Sequence, residues 1–394
     1  MPWFGQSGAR QDLAGVNRGF DLRRSRFAVA KPVKGTILAL EPTGIWRMSE
    51  LMEGNMCFAD WDWLKTEYFS PSRRGFLRNG LTAGVAAAAA GLASGLLPGV
   101  AYGAEMPNKN GGPGALGINF KWFGTDGWEV SFGNRTILFD PYFARIPTGF
   151  LSGKFDPKTP LTSDPALMDQ HVKKADQILV GHGHWDHLMD IPYIARKTGA
   201  MVIGSESHAN LLRAYDVPEG QIVQVKGGEH MQFDGYTVEV FPSLHSMGPT
   251  KKFAVPGHRA SVPEEPKTVG DLPEGDSLCY VITVADRHSV FLMSSANFIE
   301  RAITGIRPDV ALVASIFSNQ IHDFTPRLLK ALNYPKVILP THWDNFERPY
   351  AEGAHDLRDV FGDPANLDLW VKQVKKVSPE SNVIVMDFFQ SYAA

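Results

Sequence analysis

The chain contains little cysteine and no excess of basic residues. Its 394 residues include two cysteines, and Cys57 and Cys279 lie too far apart to form a CxxC pair. This pattern excludes a disulfide framework and a cysteine-rich zinc site. The formal net charge is −3, and no segment carries a dense run of lysine or arginine. We therefore predict no nucleic-acid partner, because such proteins present a basic surface to the phosphates.

The chain lacks a strongly hydrophobic segment in its N-terminal region, where the apolar run 81–100 consists largely of alanine, glycine and leucine. The run follows the stretch SPSRRGFLRNG, which contains Arg73 and Arg74. Charged residues, an apolar run and then small residues form the order of a signal peptide. The segment Ser-Arg-Arg-x-Phe-Leu also resembles the twin-arginine export signal.

We therefore predict that residues 70–104 are a cleaved twin-arginine signal peptide and that the twin-arginine export machinery is a partner. The mature protein would be periplasmic or secreted. The alternative interpretation is a membrane anchor. Because an alanine- and glycine-rich run is held poorly in ~30 Å of hydrocarbon, we predict no stable membrane anchor.

Two further segments precede the predicted globular domain. Residues 1–69 show no clear hydrophobic period, and signal peptides begin at the N-terminus. We predict that this segment is a non-native or unstructured extension, with later methionines as alternative starts of translation. Residues 105–116 are rich in glycine, proline and asparagine and are predicted to be a linker.

Residues 117–394 contain two similar successions of strands and helices. Each begins with antiparallel strands, with hairpin turns predicted at Gly133-Asn134 and Asp234-Gly235. Each continues with alternating strands and helices, which indicates a parallel segment covered by helices. We predict an α/β (α+β) fold that forms a four-layer αββα sandwich. A final strand is predicted in NVIVMDF, and the proline-rich segment 246–277 is predicted to be a loop that acts as a lid or substrate wall.

The stretch GHGHWDHLMD, residues 181–190, contains several potential metal ligands at the end of a predicted buried strand. It holds His182, His184, Asp186 and His187, although the chain has only 12 histidines. Neutral imidazoles and carboxylates bind first-row metals at about 2.0–2.2 Å. The alternate spacing lets one short segment contribute ligands to two adjacent metals.

Two more histidines, His245 and His342, also follow predicted strands. Ligands in open α/β folds bind beyond the carboxyl ends of strands. We therefore expect these two side chains to meet the motif, with a purely structural role for each as the alternative.

Together, these residues resemble the metallo-β-lactamase superfamily over roughly residues 117–390. The opening WFGTDGWEVSFGNRTILFDPYF, with Asp140-Pro141, resembles the branch that contains sugar-phosphate lactonases and the phospholipase D that cleaves N-acylated phosphatidylethanolamine. The resemblance implies an αββα fold and two divalent metal ions, zinc in the first place and manganese or iron as alternatives. It implies one site of His182, His184 and His245 and a second of Asp186, His187 and His342, with Asp140 beside the ligands.

The resemblance also implies a hydrolase in which a metal-bound hydroxide attacks an ester, lactone or phosphodiester. Asp186 would be the catalytic residue that orients the nucleophile, and the substrate would be a small or lipid-like molecule. The aromatic and aliphatic segment 141–155 would form an apolar rim for such a substrate, or simply a loop packed on the sandwich. Trp185 is either a wall of the site or a packing residue.

One departure from the family pattern concerns the aspartate that usually bridges the two metals. Ser294, Ser295 and Ala296 occupy the matching turn, and Ser295 aligns with the lost aspartate. Ser295 and Asn297 are candidates to contact the ligands, but neither brings a negative charge. The interpretations left open are two metals without a bridging carboxylate, a single metal, or a non-catalytic binding or scaffold protein that kept the fold.

Overall fold

The structure, a computed structural model, describes residues 116–357 and 367–394. The predicted extension, the predicted signal peptide and the predicted linker up to residue 115 lie outside the described residues. Within the part that is described, no helix is both long and apolar enough to cross a membrane.

The N-terminal half forms a mixed seven-stranded sheet in the order β14-β1-β2-β3-β4-β5-β6. Its strands are β1 (Asn119–Gly124), β2 (Gly127–Phe132), β3 (Arg135–Phe139), β4 (Gln177–Leu179), β5 (Met201–Gly204), β6 (Ile222–Gln224) and β14 (Ser391–Ala393). The pairs from β14 to β3 are antiparallel, and those from β3 to β6 are parallel. The predicted hairpin at Gly133-Asn134 is confirmed, because it joins β2 to β3.

The C-terminal half forms a second seven-stranded sheet in the order β13-β12-β11-β10-β9-β8-β7. Its strands are β7 (His230–Phe233), β8 (Tyr236–Pro242), β9 (Leu278–Val284), β10 (His288–Met293), β11 (Val310–Ala314), β12 (Val337–Thr341) and β13 (Asn382–Val383). The antiparallel strands β7 to β10 precede the parallel strands β10 to β13, as in the first sheet. The hairpin at Asp234-Gly235 is confirmed as well.

Helices pack on the outer face of each sheet. Those over the first sheet are α1 (Pro165–His171), α2 (Trp185–Leu188), α3 (Ile191–Thr198) and α4 (Glu206–Ala214), and those over the second are α5 (Glu300–Ile303), α6 (Phe324–Ala331) and α7 (Leu367–Val377). Short 3-10 turns occupy Glu219–Gln221, Val269–Asp271, Ser318–Gln320 and Tyr350–Glu352.

Three buried apolar clusters separate the four layers, because side chains alternate across each strand. On β3, Ile137 and Phe139 point into the core between the two sheets, whereas Leu138 faces the helices. On β10, Val290 and Leu292 face the inter-sheet core, whereas Phe291 faces the helices of the second sheet. The predicted four-layer αββα sandwich is therefore confirmed.

The chain end differs from the prediction. The predicted strand NVIVMDF is reduced to the two residues of β13, and the last strand is β14, which pairs with β1 of the other sheet. Pairing of Asn119 with Ala393 closes the first sheet at its antiparallel edge. Sequence pattern did not identify β14 because a three-residue strand has too few positions to establish alternation.

The motif segment continues into two helices. Helix α2 ends at Leu188, and α3 begins after Asp190 and ends at Thr198, where it is capped by Gly199 in the left-handed conformation with φ 75°. The buried Asp190 carboxylate accepts hydrogen bonds from the backbone N–H groups of Phe143 and Ala144, at 2.7 and 3.1 Å. It thereby fixes the loop after β3 to the start of α3.

The raised pKa of Asp190 leads us to predict that the free energy of unfolding depends on pH. Burial raises its pKa from the usual value near 4 to about 6, against the opposing effect of the Phe143 and Ala144 N–H groups. A carboxyl group whose pKa is raised by folding stabilises the protein most below its unfolded pKa, and this stabilisation is lost as the pH rises through about 6. Asp190→Asn removes the titration. We expect the unfolding free energy of the variant to increase relative to wild type by about 1–1.5 kcal/mol between pH 5 and 7.5.

Urea denaturation of both proteins across this pH range measures the difference. Parallel curves for the two proteins would show that Asp190 does not titrate in the folded state in that range.

Candidate metal centre

The motif and the distant histidines lie at one edge of the sandwich, where strands of both sheets end. The motif begins after β4, and Asp140 directly follows β3 in the same sheet. His342 directly follows β12 of the second sheet, and His245 lies three residues beyond the end of β8. The structure therefore brings together all six predicted ligands from three distant parts of the chain.

Three imidazoles form the first predicted site. The ring centroids of His182, His184 and His245 are 4.7 to 4.9 Å apart, so the rings form a nearly equilateral triangle. One potential ligand atom from each lies within 4.8 Å of the others. Such a triad of neutral imidazoles matches the ligand set of zinc and similar ions.

Each ring in this triad is oriented by a second contact. Nδ1 of His182 is 3.0 Å from the Ser294 hydroxyl, and Nδ1 of His245 is 2.7 Å from the backbone oxygen of Ser246. Nε2 of His184 is 3.3 Å from the backbone oxygen of Val255. Because one nitrogen of each ring is engaged, the other is left for a cation. Outer contacts of this kind fix the tautomer of metal-binding histidines.

The second predicted site is built around Asp186. One of its carboxylate oxygens lies 3.6 Å from Nε2 of His187 and 3.4 Å from Nε2 of His342. Ligand atoms bound to one tetrahedral cation at ~2.1 Å are about 3.4 Å apart. Moreover, Nε2 of His187 is buried and has no hydrogen-bond partner within the described part of the chain. The distances from Asp186 to the two imidazoles and this unsatisfied nitrogen fit a cation held beside Asp186.

Asp140 lies beside the ligands, as the resemblance implied. Its carboxylate accepts a hydrogen bond from the N–H of Gly181 at 2.6 Å and lies 2.8 Å from Nδ1 of His187. This contact engages Nδ1 of His187 and leaves Nε2 directed towards Asp186. Gly181 is required for the approach, since a Cβ there would lie 2.2 Å from the Ser294 side chain.

The serines that replace the bridging aspartate have separate contacts. Ser294, which follows β10, faces His182, whereas the hydroxyl of Ser295 accepts a hydrogen bond from the N–H of Ser246 at 2.8 Å. The side-chain amide of Asn297 donates to the backbone oxygen of His245 at 3.1 Å. Ser295 and Asn297 therefore support the backbone around His245, and Ser294 is the serine that touches a predicted ligand.

Burial controls the protonation of the histidines. It lowers the pKa of His182, His184 and His187 well below the usual value, and the neighbouring imidazoles lower these pKa values further for His182 and His184. Burial also lowers the pKa of His245. The rings are therefore neutral at neutral pH, which is the state that binds a metal.

The carboxylates of the site behave differently from one another. Burial opposes ionisation of Asp186, yet the His187 and His342 imidazoles bring its pKa below the usual value. Burial raises the pKa of Asp140 well above its usual range, although the Gly181 N–H group lowers it. The two aspartates also repel one another, because negative charge is concentrated in a buried volume.

Strained backbone occurs where the strands end. Asp140 and His342 adopt left-handed conformations with φ 40° and 51°, which residues other than glycine rarely adopt. Such strain persists where the surrounding contacts fix the backbone, and it concentrates at functional sites. Here it turns both side chains towards the motif directly after their strands.

Sequence reasoning missed Asp126, which lies in the turn between β1 and β2. It is fully buried, and its potential ligand atom lies within 4.8 Å of those of His187 and His342. Its only signal in the sequence is an aspartate between Thr125 and Gly127. Because aspartate is common in ordinary turns, that signal does not distinguish a site residue.

An apolar cavity of about 320 Å³ opens beside the first triad. Its lining includes His184, His245 and Trp185 together with Phe150, Phe155, Phe253 and Phe317. Phe150 and Phe155 belong to the predicted apolar rim, and residues 246–254 of the predicted lid contribute much of the opposite side. Trp185 is both a wall and a packing residue, since its ring stacks on Phe155 with centroids 5.5 Å apart.

Two groups of curated relatives are similar to the chain. A UPF0173 metal-dependent hydrolase of Agrobacterium fabrum is 31% identical over 133 residues, which are 33% of this chain and 48% of the relative. A UPF0173 metal-dependent hydrolase of Staphylococcus aureus is 24% identical over 213 residues, which are 54% of this chain and 80% of the relative. The chain therefore spans about half the length of the first of these relatives.

Solved structures with similar topology include a possible metal-dependent hydrolase from Veillonella parvula. It is 16% identical, with a TM-score of 0.47 over 70% of this chain and 99% of that chain. Another is the metallo hydrolase Igni18 from Ignicoccus hospitalis, at 18% identity and a TM-score of 0.46 over 70% of this chain and 97% of that chain.

The family model described as the beta-lactamase superfamily domain matches residues 135–343, which include every predicted ligand. Strand β3, the histidine motif and His342 all lie within this match. It covers more than half of the chain, and the two-sheet sandwich agrees with it. The chain therefore belongs to the beta-lactamase superfamily, in its metallo-β-lactamase fold.

Proposed function

We propose that the protein is a metal-dependent hydrolase that acts on an ester, lactone or phosphodiester carrying an apolar group. The observation that carries this proposal is the pair of adjacent ligand groups, His182, His184 and His245 on one side and Asp186, His187 and His342 on the other. The similarity to the UPF0173 metal-dependent hydrolases supports a metal-dependent hydrolase activity. The proposed metals are two zinc ions, with manganese or iron as alternatives.

Divalent cations in these positions would polarise the substrate oxygen and lower the pKa of a bound water towards ~7. The protein itself supplies ligands in the required protonation state. Because Asp186 has a lowered pKa, it is ionised at neutral pH and can accept a hydrogen bond from the attacking water. Asp140 keeps His187 in the tautomer that presents Nε2 to the centre.

The cavity beside the first triad supports the proposed substrate class. Its volume is near the lower end of the range for small-molecule sites, and its aromatic side chains favour an acyl or alkyl group. The ring of Phe253 lies 4.7 Å from that of His245, so a bound apolar group would lie next to the ligands. Lys252, on the same cavity wall, is exposed and suits an anionic group such as a phosphodiester.

The first test combines metal content with turnover. We expect about two zinc, manganese or iron ions per chain and hydrolysis of bis-p-nitrophenyl phosphate, a lactone or a p-nitrophenyl ester. His184→Ala should lose metal and lower kcat/KM at least 100-fold, since loss of even an outer contact typically costs about 10–100-fold. His230→Ala is the control, because His230 is exposed on β7 and outside the site.

A folded wild-type protein that binds no divalent metal and hydrolyses none of these substrates would contradict the proposal. That result would favour the non-catalytic binding or scaffold function instead.

A second test concerns the cavity. Phe253→Ala should lower the preference for a p-nitrophenyl octanoate over the acetate by about 10-fold, because burial of a phenylalanine-sized surface contributes about 1.5–3 kcal/mol. The matched variant Lys252→Ala should leave this preference unchanged and raise KM for the anionic phosphodiester. If Phe253→Ala lowers turnover of both esters equally, the cavity does not bind the acyl group.

We also propose that the protein is exported through the twin-arginine route and acts in the periplasm or outside the cell. The paired arginines Arg73 and Arg74 before the apolar run support this proposal. Export of a folded, metal-loaded protein would suit a site whose ligands come from both sheets. In the native host, Arg73→Lys with Arg74→Lys should leave the precursor uncleaved in the cytoplasm. Unchanged cleavage and location, measured by fractionation and N-terminal sequencing, would contradict export by this route.

A further inference from the structure

The turn between β1 and β2 is fastened to the second predicted metal site. The backbone oxygen of Thr125 accepts hydrogen bonds from the N–H of His342 at 2.9 Å and from the hydroxyl of Thr341 at 2.5 Å. The N–H of Thr125 donates to the Asp344 carboxylate at 2.9 Å. Three contacts thus connect this turn to the segment that carries His342, and they fix the position of the next residue, Asp126.

Neither carboxylate oxygen of Asp126 has a partner among the residues that the structure describes. Both oxygens are buried and accept no hydrogen bond from residues 116–357 or 367–394. The hydroxyl of Thr341 is nearby, but its single proton is donated to the Thr125 oxygen, and it also accepts from the indole N–H of Trp128 at 3.0 Å. Buried polar atoms without a partner are rare, because each costs free energy. Such a carboxylate therefore indicates a missing ligand.

The charges around Asp126 indicate that this ligand is a cation. The acidic groups that act on it are Asp140, Asp186 and Asp344. The guanidinium of Arg145 is paired with Asp344 at 2.8 Å. A buried concentration of carboxylates is stable when a metal ion balances it.

We propose that Asp126 is a metal ligand, which supplies the second cation with the carboxylate that Ser294 and Ser295 do not. Its neighbours there are His187 and His342, whose potential ligand atoms lie within 4.8 Å of its own. The negative charge that the family places after β10 is thus provided from the opposite sheet, by the turn after β1. This inference rests on the proposed metal-dependent function but concerns metal binding alone.

Asp126→Asn tests the inference, because it keeps the shape of the side chain and removes its charge. In the full chain loaded with zinc, we expect about two ions per wild-type molecule and about one per variant molecule by elemental analysis. The zinc-induced rise in Tm should fall by at least half. Asp190→Asn is the matched control, since Asp190 is equally buried but accepts backbone hydrogen bonds outside the site. It should retain both ions.

Asp126→Glu keeps the charge and should retain the second ion at reduced affinity. Two ions bound by a folded Asp126→Asn variant with wild-type affinity would overturn the inference and leave the proposed hydrolase intact. Absence of zinc, manganese and iron binding in wild type would overturn both proposals. Zinc binding without hydrolysis would contradict only the proposed function.

A wild-type measurement covers the case in which Asp126→Asn does not fold. In a zinc-loaded crystal, an Asp126 oxygen should lie about 2.0–2.2 Å from the second ion. A carboxylate turned away from that ion, with no bond to it, would overturn the inference.

Discussion

The structure depends on the electrostatic balance of one buried cluster. At a single edge of the sandwich, the imidazoles of His182, His184, His187 and His342 lie among the carboxylates of Asp126, Asp140 and Asp186. Burial of imidazole and carboxylate groups in this interior costs free energy unless their polar atoms have hydrogen-bond or metal partners. Some of these nitrogen and oxygen atoms form hydrogen bonds. The others lie close to one another, in the arrangement of metal ligands. The apolar core holds the two sheets together, and a cation bound at this edge would add a second link, because its ligands come from both sheets.

Much of the fold could be predicted because it is encoded locally. Alternating apolar residues identify the strands, and turns at Gly133-Asn134 and Asp234-Gly235 identify the hairpins. The succession of antiparallel strands and then strand–helix units, repeated twice, determines the layers. The ligand motif could be recognised for the same reason, since four of its six residues lie within one turn after a strand.

Other features depend on contacts that local pattern does not contain. Asp126 is placed near His342 because its neighbour Thr125 accepts hydrogen bonds from Thr341 and His342, more than 200 residues away, and the turn that holds both residues resembles any other hairpin. Ser294 contacts His182, whereas Ser295 contacts the backbone of Ser246. The direction of each side chain depends on the backbone conformation after β10, which alignment of the sequence does not predict. Strand β14 is defined by its pairing with β1 and not by its own three residues.

The buried cluster is proposed to bind two cations. Anomalous diffraction at the zinc edge from a zinc-loaded crystal of the protein tests this claim most directly. We expect two peaks, one among His182, His184 and His245 and the other among Asp186, His187 and His342. A map without peaks at this edge of the sandwich, from protein with these side chains placed as described, would contradict the claim that the buried cluster is a metal centre.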